Sequence, residues 1–162
     1  MTAGLAALLA GLDPWLRPGT YVFATVAPGT ALDVEPVASM AEDEGRTVVL
    51  AEADVARLGL AATYRCAWIT LRVASPLESV GLLARVTAAL AERGISVNPV
   101  AGYHHDHLFV PRDRAEDAMA ALAALRPDPP HPPHPPGPSP AVSHAVGVCA
   151  GSGWPRTLGR CW

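Results

Sequence analysis

The 162-residue chain is 50% hydrophobic and 17% charged, which places it among globular proteins rather than disordered ones. Its net charge is −3, and its basic residues, all arginine, form no cluster, so the concentrated positive charge that nucleic acid demands is missing. The length suits one ordinary domain or two very small units sharing a core.

In chain order, the apolar run at 3–12, "AGLAALLAGL", is too short to span a bilayer and has no positive residue before it. It reads as a buried or amphipathic helix rather than a signal peptide or membrane anchor. The β-branched and aromatic "TYVFATV", 20–26, predicts a strand. "VASM", 37–40, predicts a short one, with "EDEG" turning into a third, "RTVVLA", at 46–51. "EADVARLG", 52–59, reads as a helix closed by Gly59.

A long strand follows at 64–74, with Ala67, Ile69, Leu71 and Val73 as its expected buried face. Ser75, Pro76 and Glu78 have the spacing of a helix start, and Val80, Leu83, Val86 and Leu90 form an apolar stripe ended by Gly94. Residues 95–103 and 107–111 read as a hairpin, and 114–125 as a last helix. Strand, helix, strand, strand, helix is most of a split βαβ unit without its fourth strand. The first half is also incomplete, so two units that complete one another are expected.

Composition breaks near Arg126, and the proline-rich segment beyond it predicts no packed structure. A Pro-rich recognition arm and out-of-frame translation of GC-rich sequence are the other readings of it. The expected organisation is an N-terminal half at 1–62, a C-terminal half at 63–126 and a disordered tail at 127–162. Cys66, Cys149 and Cys161 match neither a disulfide framework nor a metal pattern, so the cytoplasm is the expected compartment.

"HHDH", 104–107, raises three possibilities: a metal site, a catalytic cluster or a structured turn. With His104 and His105 as a two-residue loop, Gly102 faces His107 and Ala101 faces Leu108. Both loop imidazoles then point into solvent, Asp106 closes the turn, and His107 shares a face with Asn98, Val100 and Phe109. A structured turn therefore fits best, and neither metal nor cofactor is expected. Pro99 cannot donate to a ladder, so its strand belongs at a sheet edge or carries a bulge.

The run "VGLLARVTAALAERGISV", 80–97, resembles the signature of ACT domains, the small-molecule regulatory modules of amino-acid metabolism. "EDEGRTVVL", "ITLRVASPLESVGL" and "YHHDHLFVP", in that order, resemble a bacterial family of short stand-alone proteins with two ACT-like halves. Pro99 departs from the apolar residue expected there. The resemblance covers roughly residues 5–126. It implies an α+β, ferredoxin-like (βαββαβ) ACT fold with two halves packed together, and an amino acid held at their junction.

On that footing the segment Ser75–Leu82, with Ser75, Glu78, Ser79, Val80, Gly81 and Leu82, offers backbone N–H groups to a carboxylate. Asn98 on the next strand is the candidate for the α-amino group, and His107 faces the shared surface. Each has a plainer reading: Gly81 as a close-packing position, Glu78 as a helix cap, Asn98 as an ordinary strand residue. The expected function is a non-catalytic amino-acid-binding regulator, with a homodimer plausible. A protein–protein adaptor and a small transferase or hydrolase are the alternatives.

Overall fold

In the computed structural model, which describes residues 4–127, alternating apolar residues build one antiparallel seven-stranded sheet. Its strands are β1 (Pro14–Leu16), β2 (Tyr21–Val26), β3 (Ala38–Glu42), β4 (Gly45–Ala51), β5 (Arg65–Leu71), β6 (Asn98–Ala101) and β7 (Asp106–Pro111). The order is β3-β4-β2-β5-β7-β6, with β1 also on β5. The α-helices of the described residues are α1 (Leu5–Ala10), α2 (Glu52–Leu58), α3 (Leu82–Ala91) and α4 (Ala115–Ala123), with a 3-10 turn at Arg112–Arg114 leading into α4. The expectation of an unstructured tail falls, from residue 128 onward, outside them.

The fourth strand missing from the C-terminal half comes from the other end of the chain. β1 pairs Pro14 with Leu71 and Leu16 with Ile69, and the Arg17 amide donates to the Trp68 carbonyl at 2.8 Å. Pro18 and Gly19, the latter at φ 98°, then interrupt the ladder. Pairing resumes with Tyr21 opposite Cys66, two residues out of step, as β2 continues onto β4. One bulged strand thus closes the C-terminal half with its first part and opens the N-terminal half with its second. Sequence reading missed β1 because "PWL" is short and begins with proline, but it anticipated that the halves complete one another.

Arg17 clamps this bulge. Its guanidinium lies 3.8 Å from the Trp15 ring centroid and 4.6 Å from that of Trp68, and its Nε donates to Thr70 Oγ1 at 3.2 Å. Arg72 extends the ladder, lying over Trp15 at 5.3 Å and pairing with Asp13 at 2.7 Å.

Directly paired residues share a face, so Val22, opposite Arg65, stands on the side of Ala67, Ile69 and Leu71. All four helices cover that side. Leu8, Leu82, Val86, Leu90, Ala118 and Leu122 bury Ala67, Ile69, Leu71, Leu108 and Val110, while Val55 of α2 packs on Val22, Ala24, Val48 and Leu50. The helix-free face carries an aromatic cluster: Phe23 meets Phe109 edge-on at 5.5 Å, and Tyr21 meets Trp68 at 5.3 Å. That cluster corrects the expectation of a single buried face on β5. Cys66 and Thr70, on the opposite side, are buried as well.

Two further expectations change. The third helix begins at Leu82, not at Pro76, because Gly81 at φ 97° serves as its N-cap and breaks the preceding chain. Its buried stripe is Leu82, Val86, Ala89 and Leu90, and Val80 is 86% exposed. The hairpin loop is two residues long as expected but lies at Tyr103–His104, with the Gly102 amide donating to the His105 carbonyl at 3.0 Å. Ala101 therefore opposes Asp106 rather than Leu108. A slip of two leaves every side chain on its assigned face. A Cβ on Gly102 would lie 2.6 Å from the His105 carbonyl oxygen, so glycine admits this tighter closure. β6 spans only Asn98–Ala101, and Pro99 is on an edge strand, as its lack of an N–H requires. The Gly59 and Gly94 helix stops stand, both at positive φ.

Replacing Arg17 with alanine removes two ring contacts and one hydrogen bond. The expected loss is about 1–3 kcal/mol in chemical denaturation, with Arg17→Lys recovering only part because ammonium does not stack as a plane.

Candidate functional site

The loop from Ser75 to Gly81 joins β5 to α3 and packs beside the start of β7. Asp106 is the first residue of β7, between Leu71 of β5 and Ala101 of β6, and is 8% exposed. Even-numbered positions of β7 face the helices, so this carboxylate points to the helix-covered side with Leu108 and Val110. The Ser75 hydroxyl donates to Asp106 Oδ2 at 3.2 Å. Ser75 thus braces a carboxylate instead of capping a helix. Glu78, exposed, forms no capping box.

These groups frame a pocket of about 440 Å³ lined by Ser75, Ser79, Gly81, Leu82, Ala101 and Asp106, among others. Leu83 and Ala84 also line it. In the first turn of a helix the N–H groups have no intrahelical acceptor. Those of Leu82, Leu83 and Ala84 precede the first α-helical bond, which runs from Arg85 N–H to Gly81 O at 3.0 Å. With the helix dipole they give this end of the pocket a positive character. The Ser79 hydroxyl is buried with no hydrogen-bond partner among the described residues. Such an orphaned group costs free energy unless a ligand or water satisfies it.

Gly81 fits its plainer reading as a close-packing position. Its positive φ disfavours other residues, and a Cβ there would lie 3.3 Å from Leu5 Cδ2. Leu5 of α1 therefore packs against Gly81 without lining the pocket itself.

The structure brings Ser75, Ser79, Gly81 and Leu82 together. Glu78 and Val80 lie on the same loop but do not line the pocket, and Asn98 and His107 stand on the opposite sheet face. Asn98 opposes Phe109, which sends its side chain to the aromatic side. Asp106, which also lines the pocket, was not among the expected ligand contacts. The signal was in the sequence: an acid beside the histidines, read as a turn residue because the loop was expected one position later.

The three histidines diverge. His104 packs edge-on against Tyr103 at 5.0 Å, and His105 is half-buried rather than free in solvent, its Nδ1 3.4 Å from the Val73 carbonyl. His107 Nδ1 accepts from the Trp68 indole at 3.0 Å and lies 3.1 Å from Thr70 Oγ1. Burial, then the nearby Arg17 charge, hold the His107 pKa below the usual imidazole value of 6.5. Cys66 is closed to nucleophilic chemistry near neutrality, since burial pushes its thiol up to about 12.

A lowered folded-state pKa means that the unfolded chain binds the proton first as pH falls. Stability associated with His107 is therefore full above pH 6.5 and declines below it until the folded ring itself protonates. Urea midpoints should fall between about pH 7 and 5.5, and His107→Gln should flatten that part of the profile.

Comparison with known proteins bears on residues 3–124. ACT-domain family models match residues 3–67 and 63–124, overlapping at the start of β5. A Vibrio cholerae protein of unknown function, described as a possible transport protein, is 41% identical. That match covers 76% of this chain and 97% of the other, with a TM-score of 0.68. An Agobacterium tumefaciens protein is 18% identical over 70% of this chain and 88% of its own, with a TM-score of 0.57. The ligand-free regulatory subunit of aspartate kinase from Thermus thermophilus shares the fold at 10% identity, covering 70% and 96% with a TM-score of 0.52. No curated protein matches the chain. Among the described residues no helix is long and apolar enough to cross a membrane. Two domain matches end to end, and a relative that aligns along nearly its whole length, show that the chain belongs to the ACT-domain family and carries two ACT domains in tandem.

Proposed function

We propose that this tandem ACT protein is a non-catalytic regulator that binds a small amino acid in the pocket between Ser75–Leu82 and Asp106. The observation that carries this reading is the pairing of opposite polarities in one cavity. The free amides of Leu82, Leu83 and Ala84 suit a carboxylate, and the buried Asp106 carboxylate suits an ammonium. A zwitterion satisfies both ends. The Ser79 hydroxyl stands as a further partner for it. The amino-group role expected of Asn98 passes to Asp106, which lies on the correct face.

The cavity proper, its open mouth aside, is about 120 Å³, which favours an amino acid with a short side chain. Family membership supports a regulatory, ligand-binding role, and the regulatory subunit of aspartate kinase shows the fold in such a setting. Regulation needs differential affinity between two arrangements of the protein. Leu5, resting on Gly81, gives the N-terminal helix a direct contact with the ligand loop, so ordering that loop alters the seat of α1.

Thermal unfolding and titration calorimetry against the twenty amino acids test the reading. A ligand at a hundred times its Kd should stabilise the fold by about 2.7 kcal/mol. Asp106→Asn should weaken binding about ten- to a hundredfold by removing a charge-assisted hydrogen bond. If the folded wild-type chain shows no response to any amino acid at millimolar concentration, the reading is wrong.

A further inference from the structure

We infer that the outermost strands of the sheet, β3 and β6, close on a second binding site, one for a small uncharged molecule with an apolar ring or chain. Although β3 and β6 stand at opposite ends of the strand order, both line one pocket, so the sheet coils until its two ends face each other. The pocket opens on the helix-free face, away from Asp106. Phe23 and Val49 belong to its floor, Met40 and Val100 to its walls, and Asn98 and Thr47 add polar groups.

Three features select the occupant. The cavity proper is about 170 Å³, below the roughly 300–1,000 Å³ of pockets for drug-sized ligands, so the guest is a small one. None of the lining residues is charged, so an ionised ligand would lose its hydration without a partner. The Thr47 hydroxyl already donates to Glu42, which leaves the Asn98 amide, with the Ser39 hydroxyl, to meet one hydroxyl, amide or ring N–H of the ligand.

An extended peptide is the obvious rival, because open strand edges invite strand addition. Pro99 works against it. Proline withholds a backbone donor at the middle of a four-residue edge, and a ladder added to β6 would be broken there. Met40, 64% exposed beside the opening, is a flexible side chain able to fold over a small guest.

The test uses the full chain and two probes that share a ring, benzyl alcohol and benzoate, with indole as a larger neutral probe. Saturation-transfer NMR should show benzyl alcohol and indole binding saturably at about 1 mM or tighter, and benzoate at least about tenfold weaker. Met40→Asp, at an exposed position that leaves the core intact, should weaken the neutral probes at least about tenfold. Asn98→Ala should weaken them about threefold. Unfolding curves confirm that both variants fold. Benzoate binding as well as benzyl alcohol, neutral probes that do not saturate, or Met40→Asp binding like wild type would each overturn the proposal. So would native mass spectrometry showing a wild-type dimer that Met40→Asp dissolves while the wild type ignores the probes, which would assign the pocket to a second copy of the chain.

Discussion

The structure depends on β5 being paired along one side by a single interrupted strand. Residues 14–17 hold one stretch of β5 and residues 21–22 hold the other, with Pro18 and Gly19 absorbing the two-residue mismatch. β5 is thereby the first strand of the C-terminal unit and the closing strand of the N-terminal one. The overlap of the two family matches at residues 63–67 falls at this shared element. Without the bulge, the β1 stretch could not satisfy the β5 backbone at Trp68 and Arg72 while β2 remained in register with β4. Arg17, stacked between Trp15 and Trp68, fills the place where the two pairings part company.

From that arrangement follows the sorting of side chains that creates the site. In β7, adjacent Asp106 and His107 have opposite fates because successive strand residues alternate faces. Asp106 enters the helix side, where it lines one pocket with the first turn of α3. His107 goes to the aromatic side, where Trp68 and Thr70 hold Nδ1 and burial favours the neutral ring. β6 divides in the same way along its length. Its last residue, Ala101, lines the first pocket, and Asn98 and Val100 line the second. The two pockets thus have a four-residue wall in common.

Much of this was legible in the sequence. The turn glycines Gly59 and Gly94, the edge position of Pro99 and the alternation in β7 follow from local backbone physics, which short stretches carry intact. Four of the eight residues singled out for ligand contact do line one pocket: Ser75, Ser79, Gly81 and Leu82. What escaped notice was non-local. β1 is a three-residue strand beginning with proline, made a strand only by its partner Leu71 fifty-seven positions away. Asp106 changed from turn residue to pocket carboxylate through a loop shift of one position, permitted by the missing side chain of Gly102. The burial of Cys66 and Thr70 arises from aromatics on three different strands and leaves no periodic trace. Ser75 looked like a helix cap because its spacing to Glu78 was right, but Gly81 moved the true start of α3 six residues onward.

The crossing of β1 into the distant half has a consequence for how such a protein can change over generations. A recombination break between residues 62 and 63 would carry away the strand that closes the downstream unit, even though each fragment retains a recognisable domain sequence. A transplanted half must bring a matching Pro14–Leu16 or Arg65–Leu71 with it, or leave the backbone donors and acceptors of that ladder bare. The heritable unit is consequently the entire interlaced pair, and a permuted gene that joins the end of α4 directly to β1 would restore a contiguous βαββαβ module from the same residues.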